Sequence, residues 1–337
     1  MLSELSNLES VALRFDKHCS VDPCFADKPQ TELYRPTVLK WLFAELVSLQ
    51  RPLKELAIQN HQNIAPPPGN ILDQMDKVLS TLTSLRLHMV HETDDASPDT
   101  EISKYEPHQF FTYTLSAYWL KPAMGSLQKL SLYSSMYWGF YPHVKLDGIH
   151  FPNLKSLTLG NFSFYEDKQL DWITSHSTLQ ELYLNNCPIL FHVVMNDSEQ
   201  ELSHCPKDKS GLQRNGDWKL EHHYPHRWYD YFVAIEKSLP HLHHFRFGIN
   251  PEWDKFVLPF EREMDIVPAF KKDRYMGFHG GIGDLGPEYL RPTCDEEDRK
   301  ALMALYRKIG QQIDCGTFSL GGYTVENLIQ TKDISGY

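Results

Sequence analysis

A short pattern of leucines returns along the chain and predicts a series of similar strands. Two copies are Leu154-Lys-Ser-Leu-Thr-Leu159 and Leu179-Gln-Glu-Leu-Tyr-Leu184, and an Asn-bearing turn follows each of them. The last two leucines of a copy are two positions apart, so both point to one face of a strand. The Asn side chain is expected to bond backbone groups of the turn and its neighbour. Leu157 and Leu182 are 25 residues apart, which is a spacing typical of repeats that each give a strand and a helix.

Further copies of this pattern predict seven strands. They lie near residues 11–13, 56–58, 85–87, 130–132, 157–159, 182–184 and 245–247. Amphipathic helices are predicted between most of them, because apolar residues recur there at helical spacing. One strand–helix unit cannot bury its apolar face alone, but stacked units can. The sequence therefore predicts an α/β fold: a leucine-rich-repeat solenoid with a curved parallel sheet and outer helices over residues 1–250.

The remaining residues, 251–337, are expected to form an irregular C-terminal cap. A strand is predicted over 274–278, followed by the glycine run Gly280-Gly-Ile-Gly283. A helix is predicted to start near Thr293, because Thr293 and Glu296 have the spacing of a capping box. At the other end, the first predicted strand begins so early that we expect the chain to be a fragment or to carry a divergent cap, since end repeats need covering.

Charge and composition narrow the classes of partner. The formal net charge of -11 argues against nucleic acid, and the absence of a long apolar run predicts no membrane partner. The six cysteines form no C-x-x-C motif, and the N-terminal residues do not read as a signal peptide. These features predict a cytoplasmic or nuclear protein with reduced thiols.

The variable position between the inward-facing leucines is expected on the concave face of the sheet. That position is filled by Ala57, Arg86, Ser131, Thr158, Tyr183 and Arg246. A second candidate surface consists of aromatic residues that follow two strands and are expected on one rim, namely Tyr137, Trp138, Tyr141 and Phe164. Tyrosine, tryptophan and arginine are enriched among residues that dominate protein interfaces. Both sets predict protein recognition, although the aromatic residues have the alternative role of filling the turns between strand and helix.

Histidine clusters raise the alternative of a metal-dependent hydrolase or another enzyme in the C-terminal half. The clusters are His222-His-x-x-His226 and His241-x-His-His244, with His204 and Cys205 nearby in sequence. A zinc site needs three or four converging ligands, and no familiar ligand spacing is present. The glycine run lacks the order of a phosphate-binding loop, and no common catalytic motif occurs. The sequence therefore predicts a non-enzymatic protein with no catalytic residue, metal or cofactor.

One stretch carries a resemblance to a known family. The run Phe151-Pro-Asn-Leu154-Lys-Ser-Leu157-Thr-Leu159, the helix segment Leu170-Asp-Trp172-Ile, and the run from His176 to Leu190 resemble fungal F-box proteins with leucine-rich repeats. The resemblance implies the substrate-binding part of a receptor in an SCF-type ubiquitin ligase, in which the F-box binds a Skp-type adaptor and the repeats hold an unknown protein target. No F-box-like stretch precedes residue 5, so the adaptor is expected as a partner only if an F-box lies outside this chain. A truncated receptor copy without a ligase role is the remaining alternative.

Overall fold

The structure is a computed structural model. It describes residues 2–15, 34–67, 69–90, 108–196, 213–214, 219–250, 266–270, 272–279, 282–284 and 291–311. Thirteen strands occur in these residues: β1 (Ser10–Arg14), β2 (Glu55–Gln62), β3 (Ser84–Val90), β4 (Lys129–Trp138), β5 (Ser156–Phe162), β6 (Glu181–Asn185), β7 (Ile189–Asn196), β8 (Gln213–Arg214), β9 (Lys219–His223), β10 (His244–Ile249), β11 (Val267–Pro268), β12 (Tyr275–His279) and β13 (Ile282–Asp284). They form two sheets of eight and five strands. The fold is mixed α/β.

The larger sheet is open and mostly parallel. Its order is β1-β2-β3-β4-β5-β6-β10-β11, and only the last pair is antiparallel. All seven segments predicted as strands lie in this sheet, and each pairs with the next one along the sequence. Parallel neighbours need a crossover connection between them, and the helical segments supply most of these crossovers.

The register of the larger sheet aligns the leucine pattern from strand to strand. One inward-facing row is Val11, Leu56, Leu85, Leu130, Leu157, Leu182 and Phe245. The row two positions further is Leu13, Ile58, Leu87, Leu132, Leu159, Leu184 and Phe247. Apart from the two β1 residues, which are partly buried, these side chains belong to one continuous buried core. The pattern of two leucines two positions apart is thus the inner face of the sheet.

Six helices accompany the strands in the described residues. They are α1 (Tyr34–Val47), α2 (Ile71–Leu79), a π-helix (Phe110–Leu120), α3 (Asp167–Thr174), α4 (Trp228–Ser238) and α5 (Asp295–Lys308). The π-helix ends with the Lys121 N–H donating to the Ser116 carbonyl five residues earlier, at 2.9 Å. At the start of α3 the Gln169 side-chain oxygen accepts from the N–H of Tyr165 at 2.8 Å, which supplies a partner for a backbone donor at the helix entry. Buried apolar residues from all six helices extend the leucine core.

The five-stranded sheet was not expected from the sequence. Its order is β13-β12-β7-β9-β8, with β7 and β12 parallel and the other pairs antiparallel. Its apolar side chains pack on aromatic residues from the turns after β4 and β5. The resulting cluster contains Phe140, Tyr165, Leu190, Val193, Met195, Met276 and Phe278. The second sheet therefore covers the edge of the fold at which the sequence predicted an exposed aromatic rim.

The described C-terminal residues pack against the end of the larger sheet. Gln311 accepts from the Phe245 N–H at 2.8 Å and donates to the Phe245 carbonyl at 2.9 Å. Asp298 of α5 is fully buried and accepts from the hydroxyl of Tyr275 and from the guanidinium of Arg274. Helix α5 begins at Asp295, and its N-cap is Cys294, one residue after the predicted Thr293, so the predicted capping box is wrong. No helix among the described residues is long and apolar enough to cross a membrane.

Candidate functional site

Three asparagines take a left-handed backbone conformation at or near the carboxyl ends of strands of the larger sheet. Asn60, Asn161 and Asn186 have positive φ angles of 57°, 56° and 52°. Asparagine tolerates this left-handed conformation better than other residues with a side chain. All three lie two positions after the last inward-facing residue of their strand, as the repeated pattern predicts. Asn60 lies within β2, Asn161 lies within β5, and Asn186 directly follows β6, so the left-handed residue interrupts the extended backbone near the carboxyl end of each strand.

The same asparagines connect neighbouring strands through their side chains. The Asn60 amide donates to the Phe15 carbonyl after β1 at 2.9 Å, and the Asn161 amide donates to the Ser134 carbonyl in β4 at 2.8 Å. The Asn186 amide then donates to the Asn161 side-chain oxygen at 2.7 Å. Each of these asparagines is therefore bonded to the neighbouring strand or to the residue that follows that strand, and this holds adjacent strands at a fixed offset.

The predicted concave-face residues form one row across the larger sheet. Ala57, Arg86, Ser131, Thr158, Tyr183 and Arg246 are register partners in that order. Only part of the row is accessible. Ala57, Arg86 and Arg246 are half-buried, whereas Thr158 is 2% exposed and Tyr183 is 3% exposed. The row exists as predicted, but the exposure expected of Ser131, Thr158 and Tyr183 is wrong, because all three are buried.

The burial of Tyr183 has a local cause on the sheet face. Tyr183, Tyr133 and Ile266 form a small apolar cluster, and β11 follows Ile266 along the edge strand β10. Gly160 makes room for Tyr133, since a Cβ on Gly160 would lie 2.1 Å from the tyrosine ring. The chain thus covers this part of its own sheet, and the accessible positions of the row lie on either side of it, at Ala57 of β2 and Arg86 of β3 and at Arg246 of β10.

The accessible part of the sheet face carries more basic than acidic residues. On the outward-facing rows of β1–β6 and β10, the basic side chains are Arg14, Arg86, Lys129 and Arg246, and the acidic ones are Glu55 and Glu181. The whole chain has a formal net charge of -11, so this face differs in sign from the rest of the molecule. Fields from such a patch attract partner groups of opposite charge.

Histidine 244 adjoins the basic residues at one end of this face. Burial is the main cause that lowers the pKa of His244, and the Arg246 charge lowers the pKa further. The Arg246 Nε–H accordingly donates to the His244 Nε2, at 3.3 Å. His244 therefore acts as a neutral acceptor that orients Arg246, rather than as an additional positive charge.

The predicted rim aromatics have a structural role. Trp138 is buried and donates from its indole N–H to the Gly160 carbonyl at 2.8 Å, and Phe164 is buried against Trp228 and Tyr231. The prediction that these two residues bind a partner is wrong, because their rings lie in the core. β4 continues to Trp138, so Tyr137 and Trp138, which were expected to follow a strand, lie within it.

Tyr137 and Tyr141 are half-buried at the junction of the two sheets. The Tyr137 hydroxyl accepts from the Asn186 amide at 3.1 Å, and burial raises the pKa of Tyr137 to about 12. The Tyr141 ring packs on Phe278 of β12, with centroids 5.2 Å apart. The alternative role of turn filling, which the sequence left open, describes all four aromatics best.

The histidines of the predicted clusters are dispersed. On β9, His223 lies close to Glu221 and to His192 of β7, while His222 lies on the opposite face of the strand. His226 is near the carboxylates of Asp167 and Asp230. His241 and His243 are exposed, His244 is on the larger sheet, and His204, Cys205, Gly280 and Gly281 lie outside the described residues. The grouping of His192 with Glu221 was missed, because β7 and β9 were not predicted as paired strands.

A shallow pocket lies where the two sheets meet. It is lined by Cys187, Asn186, Gly248 and Arg274 among others. Burial raises the pKa of the Cys187 thiol to about 12, so the sulfur stays protonated at neutral pH. A buried, protonated thiol is a poor nucleophile, and the pocket offers no activated group of this kind.

No protein-family model matches the chain, and no curated protein matches it.

Proposed function

We propose that this chain is a leucine-rich-repeat solenoid that acts as a non-enzymatic protein-recognition module. The observation that carries the proposal is the shared register of seven consecutive strands, in which inward and outward positions align from β1 to β10. The left-handed asparagines support it, because they recur two positions after the second inward-facing residue of β2, β5 and β6. Stacked repeats of this kind create an extended binding surface from many short units.

The partner is proposed to bind the accessible, basic part of the sheet face around Arg86. Arg86 and Arg246 stay accessible in part, whereas Tyr183 is covered by Ile266. Arginine forms planar, paired hydrogen bonds with carboxylates. A protein segment rich in Asp or Glu therefore complements this face better than an apolar one.

The ligase role is a further part of this proposal and depends on the family resemblance. In that role the chain is the substrate-binding part of an F-box-type receptor of an SCF ubiquitin ligase, in the cytoplasm or nucleus. A Skp-type adaptor is a partner only if an F-box lies outside this chain. The sheet face is proposed to hold the protein that becomes ubiquitinated.

A charge-reversal experiment tests the recognition proposal. A photo-crosslinking amino acid at position 86 identifies the bound protein in cells, and the affinity of that purified protein is then measured. The double variant Arg86→Glu/Lys129→Glu is expected to lose at least about tenfold in affinity, because it places negative charge opposite an acidic partner. Lys129 is exposed on the strand next to Arg86.

The matched control reverses two exposed lysines on the helical side, Lys77→Glu/Lys121→Glu. The total change in net charge is the same in both double variants, so only position differs. Equal affinities for the two variants would contradict recognition through the sheet face.

A further inference from the structure

Three metal-ligating side chains meet on the second sheet. His192 of β7 and His223 of β9 are directly opposite each other in the antiparallel pair, and Glu221 is two positions from His223 on the same face. The His192 Nε2 lies 2.6 Å from the Glu221 Oε1, and the His223 Nε2 lies 3.0 Å from the same oxygen. The three ligand atoms all lie within 4.8 Å of one another.

The distances fit a small divalent ion after a small opening of the cluster. Zinc binds imidazole nitrogen and carboxylate oxygen at about 2.0–2.2 Å, so two ligands in a tetrahedral site are about 3.4 Å apart. The 2.6 Å and 3.0 Å separations must therefore widen by less than about 1 Å. Three protein ligands of the types His, His and Glu also form a familiar zinc set with one open position.

The two histidines differ in exposure, and this indicates how the cluster opens. The His192 side chain is 6% exposed and lies within the sheet, whereas the His223 side chain is 62% exposed. Their rings are stacked with centroids 4.5 Å apart and planes inclined by 17°. Parallel rings do not direct both lone pairs at one point, so the exposed His223 has to rotate. His192 and Glu221 then serve as the fixed part of the site.

We propose that His192, Glu221 and His223 bind one zinc ion through the two Nε2 atoms and a carboxylate oxygen. The fourth position is open to water or to a side chain of a partner. A bound ion would join β7 to β9 and would stabilise the second sheet, which packs on the aromatic junction with the larger sheet. This proposal is independent of recognition on the larger sheet, since it uses none of those residues.

Zinc titration of the purified, chelator-treated full chain tests the site. We expect one zinc ion per chain by calorimetry, and a higher melting temperature in the presence of zinc. Glu221→Gln and His223→Gln are each expected to weaken zinc binding at least about tenfold, because even residues outside the ligand shell cost that much in metal sites. His223 is exposed, so its replacement leaves the fold in place.

His222→Gln is the matched control. His222 is on the same strand, between the two proposed ligands, but faces the other side, so its loss is expected to leave zinc affinity unchanged. Absence of stoichiometric zinc binding would overturn the proposal. An affinity that is unchanged in Glu221→Gln and His223→Gln, or that falls equally in His222→Gln, would also overturn it.

Discussion

Replacement of Asn161 tests how strongly neighbouring strands depend on each other. Asn161 is 7% exposed and has a φ of 56°. Its amide donates to the Ser134 carbonyl at 2.8 Å, and its side-chain oxygen accepts from the Asn186 amide at 2.7 Å. Asn161→Ala removes both bonds and places an alanine in a left-handed conformation.

The magnitude follows from two contributions. A left-handed residue other than Gly or Asn costs about 1–2 kcal/mol, and a buried polar group left without its partner costs about 1–3 kcal/mol. We therefore expect Asn161→Ala to lower the free energy of unfolding by roughly 2–5 kcal/mol. Asn161→Gly keeps the backbone conformation without steric cost, so it is expected to be less destabilising than alanine, by up to about 1 kcal/mol.

Urea unfolding followed by circular dichroism measures both variants, with equal dependence on denaturant as the check that the same structure unfolds. Asn153→Ala is the matched control, because Asn153 makes a similar amide bond to the Gly125 carbonyl at an exposed site. A loss of less than about 0.5 kcal/mol is expected there, as for most surface changes. If Asn161→Ala is no less stable than Asn153→Ala, the proposed coupling between strands through the asparagine side chains is wrong.

Two further predictions concern titration and the buried ion pair. Burial lowers the pKa of His176 to about 4, and its two ring nitrogens already bond the Phe151 N–H and the Trp172 carbonyl. In the unfolded chain the His176 imidazole binds a proton near pH 6.5. The stability that neutral His176 contributes to the fold is therefore lost as pH falls from about 6.5 to 4, by up to about 3 kcal/mol. His176→Gln should flatten the pH dependence of the melting temperature, and an unchanged profile would contradict this. Asp298→Asn is expected to lower the free energy of unfolding by about 3–5 kcal/mol, because it leaves the charge of Arg274 without its buried partner. Asp295→Asn changes a carboxylate that is 50% exposed and should lower it far less. Equal losses of stability for the two variants in denaturant unfolding would contradict this.

The sequence predicts the larger sheet well because its signal is local. Each strand needs only three apolar positions with fixed spacing, and the spacing is visible at residues such as Leu157 and Leu182. The positions of the left-handed asparagines can be predicted from the same pattern, since left-handed conformations favour Asn over other residues with a side chain. The helices follow from apolar residues that recur at helical spacing.

The second sheet depends on pairing between distant segments, and that pairing leaves little trace in the sequence. β7 pairs with Tyr275–His279, more than 80 residues later, and this partner is fixed by burial rather than by spacing. The near-continuous apolar run Ile189–Met195 is typical of a strand buried on both faces. This run alone could have predicted β7, but not the strands with which β7 pairs. Without β7, the approach of His192 to Glu221 and the burial of Trp138 and Phe164 were not predictable.

Local patterns also cannot show which outward-facing positions are covered by the chain itself. The central row from Ala57 to Arg246 is visible as every second residue of the strands. Tyr183 is nevertheless buried under Ile266, a residue that is far away in sequence and lies in no recurring pattern. The repeat thus predicts which side chains face outward, but whether they are accessible depends on tertiary contacts.

Distances between spin labels on outward-facing residues of the larger sheet test the stacking of repeats most directly. Ser10, Glu55 and Glu181 occupy one outward-facing row on β1, β2 and β6. At about 4.8 Å per strand, the backbone separation is about 19 Å from β2 to β6 and about 24 Å from β1 to β6. Pulsed dipolar spectroscopy, with labels on unnatural amino acids, is expected to show the longer distance for Ser10–Glu181, by about one strand spacing. Equal distances, or a shorter Ser10–Glu181 distance, would contradict a sheet in which the strands follow one another in sequence order.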